Sequence, residues 1–201
     1  MTSQSHDRHY FDEMYAADPD PWRFRTSEYE RAKYQASIAA INQRRYISGL
    51  EIGCSIGVLS GQVAPLCDTF LGLDISDQPL PSARAACAHL PAARFARMQV
   101  PQEWPGGCFD LIILSEVLYF LNAADIAMTS ERIRASLLPA GRVLLVNWLG
   151  SQTDPQPGDV AADLFIDEAG LTLETRIRQP LYRLDLLRAE AFALQAVTPA
   201  E

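Results

Sequence analysis

The residues best placed to do chemistry are a glycine-rich turn and an acid that follows it. The turn reads L-E-I-G-C-S-I-G over residues 50–57, with Gly53 and Gly57 inside it. Glycine lets the backbone turn sharply and approach a ligand where a Cβ would be in the way. Asp74 ends a second apolar run about 20 residues later, where a carboxylate can bridge the two hydroxyls of a ribose. This order of strand, turn, helix, strand and acid predicts a nucleoside-binding half-fold.

The turn departs from the dinucleotide pattern. G-x-G-x-x-G would need glycine at positions 53, 55 and 58, but the chain has Ser55 and Val58. A nicotinamide-dependent oxidoreductase is therefore disfavoured. The plainer alternative is an ordinary α/β turn whose glycines serve packing alone.

A second group of candidates follows the apolar run 109–114, which reads F-D-L-I-I-L. Glu116 and Tyr119 come directly after it, where either side chain could take or redirect a proton from a nucleophile. In the alternative, Glu116 is a carboxylate favoured at a helix start and Tyr119 packs against the loop.

Four further residues have both a functional and a plain interpretation. Gln99 could read an adenine edge or be an exposed loop residue, and Trp148 could stack on a sugar face or cover the core. Tyr182 and Arg183 belong to a polar cluster in the final predicted strand. Such a cluster is typical of an edge strand, and the alternative is a surface suited to sugar hydroxyls.

The elements that must position these residues alternate between strands and helices. Helices are predicted over 27–43, from the glycine turn to about 65–67, and over 80–89, 125–138 and 160–169. Strands are predicted to end at Ile52 and to span 70–75, 95–100, 109–114, 140–148, 171–176 and 182–187. Ser27 with Glu30 forms a capping-box signature for the first helix. The alternation predicts an α/β, Rossmann-like, doubly wound and mostly parallel sheet of seven strands, with the candidate residues at its carboxyl edge.

Composition limits the classes of partner. The 201 residues, 48% hydrophobic and 21% charged, suit one globular domain. The net charge of −8 argues against nucleic acid or an anionic membrane as a partner and suits a cationic substrate such as an amine. The four cysteines have no C-x-x-C spacing, so no metal is expected. No apolar run reaches membrane-spanning length, which favours a cytoplasmic protein.

The two ends of the chain carry weaker expectations. Residues 1–9 are expected to be a loose start, and the three histidines, which lie near no motif, are expected at the surface. Trp22, beside a proline-locked turn, is either a lid over a ligand or part of the packing.

The chain resembles class I S-adenosylmethionine (SAM) methyltransferases over residues 50–149. More narrowly it is similar to the nodulation protein S family, which N-methylates the deacetylated amino sugar at the end of a chitooligosaccharide. The stretches that carry this resemblance are D-P-W-R at 20–23, Y-E-R-A-K-Y at 29–34, the glycine turn, and F-D-L-I-I-L-S-E-V-L-Y-F-L at 109–121. Two residues depart from the wider pattern: Ser55 replaces a glycine, and Gln99 stands where an acid usually reads the adenine.

The resemblance implies a SAM cofactor and a set of residues around it. The cofactor residues are Trp22, Tyr34, Glu51, Gly53, Cys54, Ser55, Gly57, Asp74, Ile75, Gln99, Val100 and Ser115. Glu116 and Tyr119 are the predicted catalytic residues. Trp148, Tyr182 and Arg183 are the predicted substrate-binding residues.

The implied activity is N-methylation of the free amine of an amino sugar or deacetylated oligosaccharide. Another small-molecule O- or N-methyltransferase, or a non-catalytic SAM-binding module that regulates a partner, are the alternatives. A single domain is expected, with a helical cap (1–45), a cofactor core (46–150) and a substrate side (151–201), as a monomer or weak homodimer.

Overall fold

One seven-stranded sheet runs through the part of the chain that this computed structural model describes, residues 4–150 and 154–191. Its strands are β1 (Tyr46–Ile52), β2 (Cys67–Asp74), β3 (Ala93–Arg97), β4 (Phe109–Ser115), β5 (Leu137–Trp148), β6 (Thr172–Arg178) and β7 (Tyr182–Arg188). The accompanying helices are α1 (Arg8–Ala17), α2 (Glu28–Ile41), α3 (Ser60–Val63), α4 (Leu80–Ala86), α5 (Ala123–Ser136) and α6 (Gly158–Ala169).

The strand order is β3-β2-β1-β4-β5-β7-β6. Strands β1 to β5 pair in parallel, whereas β7 is antiparallel to both β5 and β6. The winding reverses between the neighbours β1 and β4, and ligands of such sheets bind in the crevice at that point. The prediction of a mostly parallel, doubly wound α/β fold is confirmed.

The central strand β4 shows why the sheet forms here. Leu111, Ile112, Ile113 and Leu114 are all 0% exposed, as a continuous apolar run covered on both faces should be. Leu111 and Ile113 pack in the cluster on the α2 side. Ile112 and Leu114 pack in the cluster that contains α5 and α6 residues. Burial of both faces fixes β4, and with it the residues that follow, in the middle of the sheet.

Helix α2 begins as predicted, but its capping box is only half formed. The Ser27 hydroxyl accepts a hydrogen bond from the Glu30 backbone N–H at 3.3 Å. The Glu30 carboxylate does not return to the cap; it points inward and pairs with Lys33. A residue that the sequence assigned to capping therefore belongs to the interior.

Several predicted boundaries or positions are wrong; among them, α4 ends at Ala86 instead of at residue 89, and β5 begins at Leu137 instead of at residue 140. Strand β3 ends at Arg97 instead of at residue 100, so Gln99 lies in the following turn. The helix after the glycine turn is only one turn long before a 3-10 turn that contains Pro65. The strand predicted at an edge, β7, lies between β5 and β6, because its leucines pack on both faces of the sheet.

The expectation of a loose start is wrong for residues 4–9; residues 1–3 lie outside the described part of the chain. The His6 backbone N–H donates to the Phe120 carbonyl at 2.9 Å, and the Ser5 hydroxyl accepts from the Asn122 N–H at 2.8 Å. Asp7 then caps α1 by accepting from Tyr10 N–H. The first described residues are thus attached to the loop after β4.

Within residues 4–150 and 154–191, no helix combines the length and the apolar character needed to cross a membrane. The same residues contain no cluster of three or more histidine, cysteine or acidic side chains suited to a metal ion.

Candidate active site

A cavity of about 590 Å³ opens at the carboxyl edge of the sheet, at the ends of the neighbouring strands β1 and β4. The predicted site residues that line it are Trp22, Tyr34, Glu51, Gly53, Cys54, Ser55, Asp74, Ile75, Gln99, Val100, Ser115, Glu116, Tyr119 and Trp148. Helices α1 and α2 contribute further lining residues from above. The structure therefore gathers most of the predicted site at one cavity of a size typical for small-molecule ligands.

The glycine turn is held in a conformation that needs glycine. Gly53 has φ +85°, and a Cβ there would lie 2.4 Å from the Ser115 carbonyl oxygen. The Gly53 and Cys54 backbone N–H groups both donate to the Leu73 carbonyl, at 2.8 and 2.9 Å. The turn is thereby fixed between the ends of β2 and β4.

Gly57 has a different role from the one predicted. It does not line the cavity, and a Cβ there would lie 2.8 Å from the Cα of Ala83 in α4. With φ +80°, Gly57 lets the turn pack against that helix. Its contribution to a ligand site is through the shape of the turn.

Asp74 connects the turn to β2. Its carboxylate accepts hydrogen bonds from the Ser55 and Ser76 backbone N–H groups at 3.0 and 2.9 Å. Burial raises the pKa of Asp74 to about 6 despite these hydrogen bonds. Glu51 is 1% exposed and accepts from the Ser60 hydroxyl, and burial raises the pKa of Glu51 to about 7.

Helix α1 adds residues that the sequence did not point to. The Tyr15 hydroxyl donates to Ser55 Oγ at 2.7 Å, and Asp12 accepts from the Ser76 hydroxyl at 2.5 Å. His6 also lines the cavity and stacks on Tyr10 at 3.9 Å between ring centroids, so its predicted surface position is wrong. No motif in the first 20 residues signals these contacts, because they join segments far apart in sequence.

Trp22 combines the two interpretations that the sequence left open. Its ring packs edge-on against Tyr15 at 5.6 Å and stacks with Phe24 at 5.4 Å. It also lines the cavity. Tyr34, on α2, is 5% exposed on the same side.

Glu116, directly after β4, collects three hydrogen-bond donors. Its carboxylate accepts from the Tyr119 hydroxyl at 2.9 Å, from the Trp148 backbone N–H at 2.8 Å and from the Lys33 ammonium. Its backbone adopts a left-handed conformation with φ +59°, which is uncommon for a residue with a side chain. These contacts fix the carboxylate at the cavity wall.

Tyr119 acts as a donor to that carboxylate. Burial and the neighbouring negative charge of Glu116 raise the pKa of Tyr119 well above its usual value. The place of this phenol in the site is to hold Glu116.

Lys33 is the functional candidate that sequence reasoning missed. It is 1% exposed, pairs with Glu30 at 3.0 Å and with Glu116, and lies 4.9 Å from the centre of the Tyr29 ring. The composition could have drawn attention to this residue, because Lys33 is the only lysine among the 17 lysines and arginines of the chain.

The three predicted substrate residues lie in different places. Trp148 lines the cavity and is 36% exposed. Tyr182 does not line the cavity, and its ring lies 6.0 Å from that of Tyr29, which does. Arg183 lies away from the cavity, where Asp163 and Asp185 each hold its guanidinium at 2.6 Å. Substrate contact by Tyr182 or Arg183 has no support from this placement.

Comparison with known proteins identifies relatives. Residues 3–146 match the family model described as Nodulation protein S (NodS). The Nodulation protein S of Rhizobium tropici is 26% identical over 143 residues, which cover 70% of this chain and 60% of that protein. The Nodulation protein S of Bradyrhizobium diazoefficiens is 30% identical over 141 residues, which cover 69% of this chain and 67% of that protein. The chain thus matches 60% to 67% of the length of these two curated relatives.

A solved structure shares the fold. It is the N-methyltransferase NodS from Bradyrhizobium japonicum WM9 in complex with S-adenosyl-L-homocysteine, which superposes with a TM-score of 0.79. The superposition covers 92% of this chain and 99% of that one, at 22% identity. At this identity the likeness establishes a common architecture.

Proposed function

This chain belongs to the nodulation protein S family, and on that basis we propose that it is a SAM-dependent methyltransferase that acts on the free amine of an amino sugar or deacetylated oligosaccharide. When bound, SAM supplies a methyl group already activated by a sulfonium, so the protein has mainly to hold the acceptor in place. The cavity described above contains the residues that would hold the cofactor and those that would hold the acceptor.

The charges of the cavity fit this cofactor. Its described lining includes the acids Glu51, Asp74 and Glu116, whereas Lys33 is the one lysine or arginine there. A dinucleotide pyrophosphate would be repelled by this excess of acid, but a sulfonium and an ammonium would be attracted. The structure of the cavity therefore supports SAM over a nicotinamide cofactor.

Asp74 is suited to hold a ribose. An ionised carboxylate has about four acceptor positions, and two on Asp74 are taken by the backbone N–H groups of Ser55 and Ser76. The Ile75 backbone N–H also interacts with this carboxylate, which leaves an acceptor position for a ribose hydroxyl. The same backbone contacts keep the carboxylate at the level of the glycine turn.

The observation that carries the proposal is the arrangement of Glu116. Three donors already hold its carboxylate at the cavity wall. An amine N–H can take the remaining acceptor position, which orients the nitrogen lone pair for attack. No proton relay through a triad is needed, because methyl transfer asks only that the amine arrive neutral and in line.

Charge favours an amine over a neutral acceptor. The carboxylates of Glu30 and Glu116 face the single ammonium of Lys33, which leaves one negative charge in this cluster. A protonated amine entering the cavity would balance it, and the amine would then pass one proton to the Glu116 carboxylate so that its nitrogen attacks the methyl group in the neutral form. A hydroxyl acceptor would leave the charge uncompensated in a buried site, which is unfavourable.

The exposed ring of Trp148 lies beside this cluster, 6.5 Å from the ring of Tyr119. Aromatic rings bind the apolar faces of sugars, so Trp148 is the residue we assign to the acceptor's ring. It lies beyond residue 146, where the family match ends.

Mass spectrometry of acceptors incubated with the protein and SAM tests the proposal. The panel contains glucosamine, partly deacetylated chitooligosaccharides, their fully acetylated counterparts, and simple alcohols and phenols. We expect a methyl group only on acceptors with a free amine. Methylation of the alcohols or phenols would point to an O-methyltransferase.

Calorimetric titration separates the cofactor from the acceptor. We expect S-adenosylhomocysteine to bind and a reduced nicotinamide dinucleotide not to bind. Binding of S-adenosylhomocysteine without turnover of any acceptor would favour a non-catalytic regulatory module. Absence of S-adenosylhomocysteine binding would contradict the cofactor assignment itself.

A further inference from the structure

We propose that Lys33 is a positioning residue in the part of the cavity formed by Glu116, Tyr119 and Trp148, where we expect the acceptor. Lys33 holds Glu116 in the orientation that receives the amine. The inference deepens the proposed function and rests on it only for its kinetic test. The residue acts through Glu116, since its side chain is 1% exposed and its ammonium is paired with Glu30 and Glu116.

Lys33 joins two separate parts of the molecule. Glu30 lies one turn earlier on the same helix, whereas Glu116 follows β4 at the centre of the sheet. The Lys33 side chain is 1% exposed, and the side chains of Glu30 and Glu116 are 8% and 12% exposed. Its ammonium therefore donates its hydrogen bonds to these carboxylates, and the centre of the Tyr29 ring lies 4.9 Å from Nζ.

Glu116 needs such support. Its left-handed backbone is unfavourable for any residue with a Cβ, so neighbouring contacts must hold it. Two donors to its carboxylate contact Oε2: the Tyr119 hydroxyl, from the 3-10 turn after β4, and the Trp148 backbone N–H, at the end of β5. Lys33 is the donor from the helical layer above. It donates to the other carboxylate oxygen, Oε1, so the two oxygens are held from different elements and the direction in which the carboxylate points is fixed.

The choice of lysine is itself informative. The chain has sixteen arginines and one lysine, and that lysine occupies this buried position. An arginine carries a broad planar fork, whereas a lysine carries a compact ammonium with three rotatable donors. A compact ammonium therefore fits between two carboxylates on different elements better than a planar guanidinium does.

A double-mutant cycle on methyl transfer to glucosamine tests the coupling. We expect Lys33→Met and Glu116→Gln each to lower kcat about 100-fold, with S-adenosylhomocysteine binding retained. The double variant should lose little more than either single variant, because both changes remove one function. A double variant that loses about 10⁴-fold, the product of the two, would show independent roles and overturn the proposal.

The matched control is Arg31→Met, which removes a positive charge from the exposed face of the same helix. We expect its kcat to equal that of the wild type. If Lys33→Met fails to fold because two carboxylates lose their partner, Glu30→Gln/Lys33→Met restores the charge balance. Compared with Glu30→Gln alone, that variant should show the same 100-fold loss.

A spectroscopic test needs no turnover. Protein labelled with ¹³C-lysine contains a single Lys Cε, so its NMR resonance reports on Lys33 alone. We expect this resonance to move in Glu116→Gln and to stay in place in Glu131→Gln, an exposed site on α5. An unmoved resonance in Glu116→Gln would overturn the pairing. Failure of the methyl-transfer proposal would leave this test readable.

Discussion

Replacing Gly53 by alanine should disrupt the part of the cavity formed by the glycine turn and Asp74, where we expect the cofactor. The structure allows the size of the effect to be worked out. Two costs arise at this position. The backbone has φ +85°, and a new Cβ would lie 2.4 Å from the Ser115 carbonyl oxygen and 2.5 Å from Val117 Cγ2. The left-handed backbone costs about 1–2 kcal/mol for a residue with a Cβ. The overlap adds roughly 1–3 kcal/mol, the range found for overpacked sites.

Gly170 provides the matched control. It ends α6 with φ +62°, and a Cβ there would meet nothing within 4 Å. Gly170→Ala therefore carries only the backbone cost of about 1–2 kcal/mol. For a chain of 201 residues, each kcal/mol lowers the melting temperature by about 2–4 °C. Gly53→Ala should thus melt about 2–12 °C below Gly170→Ala.

Thermal unfolding and calorimetry measure the two consequences together. Besides the lower melting temperature, Gly53→Ala should weaken S-adenosylhomocysteine binding at least about tenfold, which corresponds to 1.4 kcal/mol. Gly170→Ala should bind it like the wild type, since α6 ends away from the cavity. Equal melting temperatures for the two variants, or unchanged binding in Gly53→Ala, would refute the argument from close approach.

Three further predictions concern the groups beside the turn. Burial raises the pKa of Glu51 to about 7 and of Asp74 to about 6, so both protonate more readily when folded. In the ligand-free protein, the stability that these two groups contribute should therefore be fully present below about pH 4, near their unfolded pKa values, and be lost as the pH rises through 6–7, by roughly 3 kcal/mol per group. Glu51→Gln should remove about half of this loss in pH-dependent thermal unfolding, and an unchanged loss would contradict the assignment. Asp74→Asn should weaken S-adenosylhomocysteine binding about 10- to 100-fold in calorimetry, since one amide oxygen cannot accept hydrogen bonds from both the backbone and a ribose. Full affinity in this variant would exclude ribose contact. Tyr15→Phe removes the hydrogen bond to Ser55 and should cost about 1 kcal/mol of unfolding free energy in urea titration, whereas an unchanged midpoint would show that this contact adds nothing.

Features of the fold that depend on local sequence were predictable. The glycine turn, the acid at Asp74 and the apolar run of β4 are each written in a few neighbouring residues, and each lies where the pattern indicated. Because the carboxyl ends of parallel strands share one edge, the convergence of Asp74, Ser115 and Glu116 followed from topology alone.

Features that depend on distant pairing were not predictable from one sequence. The interior position of β7 is set by two antiparallel partners, and polar residues such as Arg183 concealed it because α6 supplies their counter-charges. The inward turn of Glu30 depends on Lys33 and on Glu116, which is 83 residues further along the chain than Lys33. Substrate contact by Trp148 and the division into cap, core and substrate side stay predictions.

The most direct test of the central claim is the transfer of a trideuteromethyl group from labelled SAM to glucosamine, followed by mass spectrometry, with N-acetylglucosamine as the acceptor control. The account predicts a gain of one labelled methyl on glucosamine, none on the acetylated sugar, and about a 100-fold slower gain with Glu116→Gln. A labelled methyl on the acetylated sugar, or transfer by Glu116→Gln at the wild-type rate, would contradict amine methylation at this carboxylate.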